Sequence, residues 1–215
     1  MDDEAKSGNG SFNNDAIRFD PEMVEKALIN LQSNKAPGPD GLHPMLLKRC
    51  ASKISAPVSK IFNESFRTGV VPEDWKSANI CPIFKKGSKT DPANYRPVSL
   101  TAVLCKVMER MIKEKMVEHL EKYGLMNRHQ HGFTRARSCL TNLLETLEDW
   151  TRALDEGYGI DVVYLDYRKA FDTVPHKRLL KRLRQCGFEG KILDWIEDFL
   201  CLRKTRVSVR GLYSI

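Results

Sequence analysis

The sequence predicts an α+β fold, heavy in helix and with few strands. Three observations carry this. Apolar residues recur at helical spacing in long stretches that begin and end on capping residues. Only three short runs read as strands. Proline- and glycine-rich turns separate the two kinds of segment.

Residues 1–18 are rich in Gly, Ser, Asn and Asp, lack periodicity, and read as a flexible leader. Asp20-Pro21 then opens a helix, with Asp20 as N-cap and Pro21 in the first turn, and Val24, Ala27, Leu28 and Leu31 form its apolar stripe. Asn34 to Leu42 holds two prolines and two glycines within five residues, which forbids regular structure and leaves a shaped loop. Helical patterns follow at Pro44–Ile54 and Pro57–Thr68, the second stopped by Gly69. Ala78–Lys85 reads as a strand and Lys86–Ala93 as a polar loop. Val103–Tyr123 is a long amphipathic helix closed by Gly124. Ser138–Glu156 is another, with Leu140, Leu143, Leu144, Leu147, Trp150 and Leu154 on one side.

Ile160–Asp166 alternates too little for a half-exposed strand, so it is expected to be central in its sheet and covered on both faces. Helices at His176–Cys186 and Gly190–Leu202 follow, and Thr205–Arg210 is a last strand. No internal repeat is present.

Composition narrows the function. Hydrophobic residues make up 41% of 215, enough for a core. No apolar run approaches a membrane span, and the acidic start Met1-Asp2-Asp3-Glu4 is unlike a secretory signal, so an intracellular protein without membrane partner is expected. Net charge is +7, but residues 1–30 hold three Lys/Arg against seven Asp/Glu, whereas Tyr167–Arg210 holds twelve against five. A basic body suits a polyanionic partner. The six cysteines lack metal-knuckle spacing and read as reduced packing residues. His129 and His131 flank Gln130 with no acidic or cysteine partner near in sequence, which argues against a metal there.

Three segments suit chemistry. In Val163-Tyr164-Leu165-Asp166-Tyr167, an apolar strand delivers a carboxylate at its end. Such a group needs a partner, and a divalent cation is one. A turn cap, or pairing with Arg168 or Lys169, is the plainer alternative. In Asn94 to Leu100, behind the lysine-rich loop, Arg96 offers a forked contact to phosphate; a salt-bridged surface arginine is the alternative. In Gln130 to Ser138, Gly132 permits close backbone approach, Phe133 offers a stacking face, and Arg135 and Arg137 offer phosphate contacts; a turn before a Ser138 helix cap is the alternative.

The order and spacing of these blocks resemble the reverse transcriptases of non-LTR (LINE-type) retrotransposons. The matching residues are Lys35-Ala36-Pro37-Gly38-Pro39-Asp40-Gly41-Leu42, Tyr95 to Leu100, Gln130-His131-Gly132-Phe133, and Leu165-Asp166 through Ala170-Phe171-Asp172-Thr173-Val174. Gly187-Phe188, Trp195-Ile196, Arg203, Val207 and Val209 also fit.

The resemblance implies an RNA-directed DNA polymerase of a mobile element, shaped as a right hand. Residues 19–157 would be fingers with a family-specific extension. Residues 158–215 would begin a palm with a small, truncated antiparallel sheet and no thumb. It implies two Mg2+ ions, an RNA template, a DNA primer and a deoxynucleoside triphosphate, with the nucleus as a further expected location. Asp166 would be the first metal-binding aspartate, and the Tyr167 carbonyl the adjacent ligand. Phe171 would be the gate under the incoming sugar. Arg96, with Lys85 or Lys86, would hold the triphosphate. Lys35, Gly38, Gly41, Gln130, Gly132, Phe133 and Arg135 would touch the template. Asp172 would orient neighbours by hydrogen bonds.

The family's later Asp-Asp turn has no counterpart, since the only Asp-Asp pair is Asp2-Asp3. The chain is therefore expected to be truncated, poorly soluble and inactive alone. Other readings are a non-enzymatic RNA- or DNA-binding module, a fragment of a decayed element, or a piece that joins another chain.

Overall fold

The computed structural model describes residues 10–167, 169–209 and 212–214. Seven α-helices are described, namely α1 (Pro21–Ile29), α2 (Pro44–Arg49), α3 (Ala51–Thr68), α4 (Val103–Lys122), α5 (Cys139–Asp155), α6 (His176–Gln185) and α7 (Lys191–Leu200). The strands are β1 (Ser77–Phe84), β2 (Tyr95–Thr101), β3 (Lys204–Val209) and β4 (Leu212–Tyr213). The mixture of helices and a small sheet is α+β, as expected.

Local signals place most helices. Pro21 stands in the first turn of α1 behind the extended Asp20, although the Asp20 side chain makes no capping bond. Gly69 ends α3 in the left-handed region at φ 69°, with its N–H on the Ser65 carbonyl. Ser138 caps α5 through a reciprocal pair: its hydroxyl accepts from Thr141 N–H, and Thr141 Oγ1 accepts from Ser138 N–H. Pro57, expected to begin a helix, lies inside α3 instead. The helix continues through it because Val58, Phe62 and Phe66 bury one face, and packing outweighs the one backbone bond that proline forfeits.

The core joins both ends of the chain. Phe19, Leu28, Phe62, Phe188 and Ile192 are almost fully enclosed. Each such side chain contributes about 1.5–3 kcal/mol by leaving water. Residues 10–18 are packed rather than leader-like. Phe12 and Ile17 are buried, Phe12 N–H donates to Gly187 O at 2.7 Å, and Phe12 meets Phe188 with ring centroids 5.0 Å apart. The rest of the expected leader, residues 1–9, lies outside the described residues. Asp198 on α7 ties this body together, accepting from Val71 N–H and from the buried Lys76 ammonium, each at 2.7 Å.

The sheet differs from expectation in three ways. It runs β2-β1-β3-β4, with β1–β2 and β3–β4 antiparallel but β1–β3 parallel, so it is mixed rather than antiparallel. β3 reaches β1 only after a long helical excursion, which permits a parallel approach. No strand was expected over the phosphate-suited segment from Asn94 to Leu100, and β2 lies there. Its Pro97 stands on the sheet edge, where the missing N–H costs no ladder bond.

Third, Ile160–Asp166 is not a strand. A strand persists only when another strand takes its hydrogen bonds, and among the described residues none lies beside this one. Val163, Tyr164 and Leu165 are 78–85% exposed where a covered central strand was expected. α5 is likewise bare on its apolar side, with Leu140, Leu143, Leu144, Leu147 and Leu154 all exposed. Among the described residues no helix is long and apolar enough to cross a membrane.

Candidate nucleotide and nucleic-acid site

The β1–β2 hairpin is the best-formed part of the site. Its register pairs Ile83 with Arg96 and Phe84 with Tyr95, and Lys85 N–H continues the ladder to Asn94 O at 2.9 Å. Side chains alternate faces along a strand, so Ile83, Lys85 and Arg96 share one face, and Lys86 lies beyond the ladder in the bend at the hairpin tip. Diagonal neighbours of this kind stand about 7–8 Å apart, a separation that two cations can span around one phosphate chain. Both Lys85 and Arg96 are exposed.

The hairpin tip is internally braced. Tyr95 OH donates to Lys89 O at 2.8 Å, and Asn94 Nδ2 donates to Ser88 O at 3.0 Å. Gly87 has φ 85°, and a side chain there would strike Asn94.

The Lys35–Leu42 loop lies against the other end of this hairpin. A Cβ on Gly38 would come within 2.6 Å of the Thr101 and Ala102 backbone, so only glycine lets the loop sit there. Gly41 takes φ 71°, and Asp40 accepts from Leu42 N–H at 3.2 Å. Lys35 is exposed. Pro39 helps line a shallow groove with Asn79, Lys204 and Arg206. Lys204 and Arg206 were missed from sequence, because only the parallel β1–β3 pairing brings them to this loop. Arg206 donates to Asn79 at 2.7 Å and lies 4.0 Å over the Tyr213 ring.

The Gln130–Arg135 segment is held by a cluster that the sequence reading did not see. Glu145, two turns into α5, takes His129 Nδ1 at 2.8 Å on one oxygen and His131 Nε2 at 2.7 Å on the other. His131 is buried and its other nitrogen meets Thr141 Oγ1 at 2.9 Å. The hydrogen bonds from His131 and then His129 hold the Glu145 carboxyl below its ordinary range. The partner was overlooked because helix α5 had to fold back for Glu145 to reach the histidines.

Gln130 Nε2 donates to Gly132 O at 2.9 Å. Gly132 itself meets only that amide at 3.4 Å, so no close protein backbone explains it. The left-handed residues here are Phe133 at φ 60° and Ala136 at φ 59°. An aromatic residue in that region stores about 1–3 kcal/mol of strain. The turn pushes the Phe133 ring out to 86% exposure, while Arg135 is also exposed.

Phe171 meets this segment. Its ring stands edge-on to Phe133 with centroids 6.1 Å apart, so two residues assigned separate roles lie together. Asp166, Tyr167 and Asp172 are exposed and outside regular structure.

The described residues do not complete a site for two dications. Such ions want several oxygen ligands each. Asp166 and the Tyr167 carbonyl are the donors assigned here, and no group of three His, Cys, Asp or Glu suited to a metal occurs among the described residues.

Residues 83–214 match the family model described as reverse transcriptase (RNA-dependent DNA polymerase). The chain belongs to the reverse transcriptase family. Its relatives are the enzymes of non-LTR mobile elements. It is 29% identical over 198 residues to a probable RNA-directed DNA polymerase from transposon BS of Drosophila melanogaster, covering 90% of this chain and 21% of that protein. It is 32% identical over 168 residues to the probable RNA-directed DNA polymerase from transposon X-element of the same species, covering 78% and 18%. It is also 31% identical over 201 residues to the RNA-directed DNA polymerase from mobile element jockey, covering 90% and 21%. The chain thus spans about a fifth of the length of these relatives. Reverse transcriptases use divalent metal ions, a nucleic-acid template and deoxynucleoside triphosphates, which is the chemistry that a lysine–arginine hairpin and an exposed aromatic pair suit.

Proposed function

We infer that this chain is the substrate-holding portion of a mobile-element RNA-directed DNA polymerase, shaped as fingers over residues 19–157 and the start of a palm over 158–215. Arg96 and Lys85 grip the triphosphate. Arg96 offers two parallel donors and Lys85 a point charge, so together they neutralise a polyphosphate that neither matches alone. Lys35 and Gly41 on one side, their loop seated on the hairpin by the buried Gly38, and Gln130, Gly132, Phe133 and Arg135 on the other, face the template. Phe133 stacks a base, and Arg135 takes backbone phosphate.

Phe171 lies under the incoming sugar and excludes a 2′-hydroxyl by bulk. Asp166 and the Tyr167 carbonyl would supply oxygen ligands to Mg2+, which when bound would stabilise charge on the transferring phosphoryl group. Asp172 orients these neighbours. The substrates are an RNA template, a DNA primer and a deoxynucleoside triphosphate, and the location is the nucleus, as the family resemblance implies.

The observation that carries the reading is the hairpin register, which sets Arg96 and Lys85 on one face within the residues matching the family model. A site with one assigned carboxylate lacks the charge to hold two dications, and losing one group of a cooperative site costs orders of magnitude in rate. The expected result is that the purified 215-residue chain binds an RNA–DNA primer–template but does not extend it with Mg2+ and all four triphosphates. Robust extension would overturn the one-carboxylate account. Absence of primer–template binding would overturn the substrate-holding account.

A further inference from the structure

Helix α6 has the sequence His-Lys-Arg-Leu-Leu-Lys-Arg-Leu-Arg-Gln and carries no role in the site above. Its leucines face inward. Leu180 is buried in the common core and Leu183 packs against it. On the wheel of 100° per residue, Lys177, Arg178, Lys181 and Arg182 fall together on the opposite side, and all four are exposed.

Nothing among the described residues neutralises so much positive charge there. The helix contains no acid, and none occurs between Thr173 and Phe188. Among the described residues, the cations in ion pairs are Arg67, Lys76, Lys115, Arg152, Lys191, Lys204 and two histidines, none of them on α6. Lys177 with Lys181, and Arg178 with Arg182, are like charges one turn apart, an arrangement that destabilises an isolated helix. Lys177 and Arg178 also sit in the first turn, against the helix dipole. Only Arg182 and Arg184, in the last turn, gain from it. The charge is thus maintained against local cost, and an external polyanion would relieve it.

We propose that the exposed face of α6 is a docking surface for the phosphodiester backbone of a nucleic-acid duplex, separate from the hairpin and template residues. The four cations span about one and a half turns, so they form a short track along a strand rather than a point site. A membrane surface is the other polyanion to weigh, and the packing disfavours it. Interfacial helices bind by laying an apolar face into the lipid, and the apolar face of α6 is already used in the core. The remaining face has charge and no aromatic or aliphatic anchor. It therefore makes phosphate contacts that are sequence-independent and salt-sensitive.

This proposal rests on the nucleic-acid-handling function inferred above, and the two fail separately. Fluorescence anisotropy with a labelled RNA duplex and a DNA duplex of the same sequence, over a series of KCl concentrations, tests it on the full chain. The comparison is wild type, the triple variant Arg178→Gln/Lys181→Gln/Arg182→Gln, and the double variant Lys85→Ala/Arg96→Ala. Glutamine keeps helix propensity, and circular dichroism checks the fold.

The triple variant is expected to bind at least about tenfold more weakly at low salt. Its slope of log affinity against log salt should be shallower by about two to three, one unit for each phosphate contact removed. The Lys85/Arg96 variant should keep the wild-type duplex slope. A triple variant with wild-type affinity and slope overturns the α6 surface while leaving the hairpin reading standing. Binding of wild type to phosphatidylserine vesicles but to neither duplex overturns it in favour of a lipid surface. Equal loss on RNA and DNA assigns the contact to the shared backbone. A loss confined to one of them overturns the backbone assignment.

Discussion

Arg96 and Lys85 stand on the same face of the β1–β2 hairpin, Arg96 opposite Ile83 and Lys85 two residues beyond Ile83, where its N–H carries the ladder on to Asn94 O, while Lys86 lies in the bend that follows. The sequence alone left either lysine as the assistant of Arg96, and the register favours Lys85, the one that continues the ladder. Triphosphate binding measured by equilibrium titration should weaken about tenfold or more in Arg96→Ala, since a charge-assisted hydrogen bond is worth about 1.5–3 kcal/mol. Lys85→Ala should lose several-fold and Lys86→Ala should stay within about twofold. Equal losses for the two lysines would contradict the register argument.

Glu145 governs the order of residues 129–133 through both histidines. Its carboxyl is held low by those hydrogen bonds. A lowered carboxyl contributes stability that is complete above its unfolded value, here the ordinary glutamate value of 4.5, and is lost as pH falls through the lower folded value. Hydrogen exchange of the 129–133 amides should therefore accelerate on acidification below that range in wild type. In Glu145→Ala it should already be fast at neutral pH. Unchanged protection in the variant would show that α5 does not hold this segment.

Asp198 is the hinge of a partly buried pair. Replacing it with alanine strands the Lys76 ammonium, which is 8% exposed, and removes the acceptor of Val71 N–H. Breaking such a pair from one side costs about 3–5 kcal/mol. Phe12→Ala should cost a similar amount by emptying its place beside Phe188 and His119. Urea unfolding measures both. A near-neutral Phe12→Ala would mean that residues 10–18 contribute little to the fold.

The bare leucines of α5 and the exposed Val163 and Leu165 make an apolar surface that water does not favour. Light scattering should show association that rises with concentration, and Leu143→Gln with Leu147→Gln should reduce it without lowering the unfolding midpoint. A monodisperse monomer at high concentration would argue against this.

What was legible in the sequence was what is decided locally. Ser138, Gly69, Gly124 and Pro21 act within one helical turn, so the ends of α5, α3, α4 and α1 could be read directly. The strand Ser77–Phe84 was visible from its apolar run, but β2 was not. Pro97 weakens the pattern, and only pairing with β1 makes the segment extended. The error at Ile160–Asp166 has the same origin, since apolar content shows that a segment can be a strand and only a neighbour makes it one. Phe12 and Ile17 were hidden in a leader-like composition, because the partner of Phe12, Phe188, lies far along the chain. In the site, residue types were legible and adjacency was not. Neither the Phe133–Phe171 contact nor the Glu145 clamp follows from spacing.

The central claim is that this chain holds nucleic acid through its own cations and aromatic residues rather than through Asp166. Binding of a labelled RNA–DNA primer–template without metal, compared among wild type, Asp166→Ala and Lys35→Ala/Arg135→Ala, tests it most directly. The account predicts affinity that falls with rising salt, is within about twofold of wild type for Asp166→Ala, and is weaker by about five- to tenfold for the double variant, with a salt slope smaller by about two. Salt-insensitive binding, or a double variant that binds as wild type does, would contradict it.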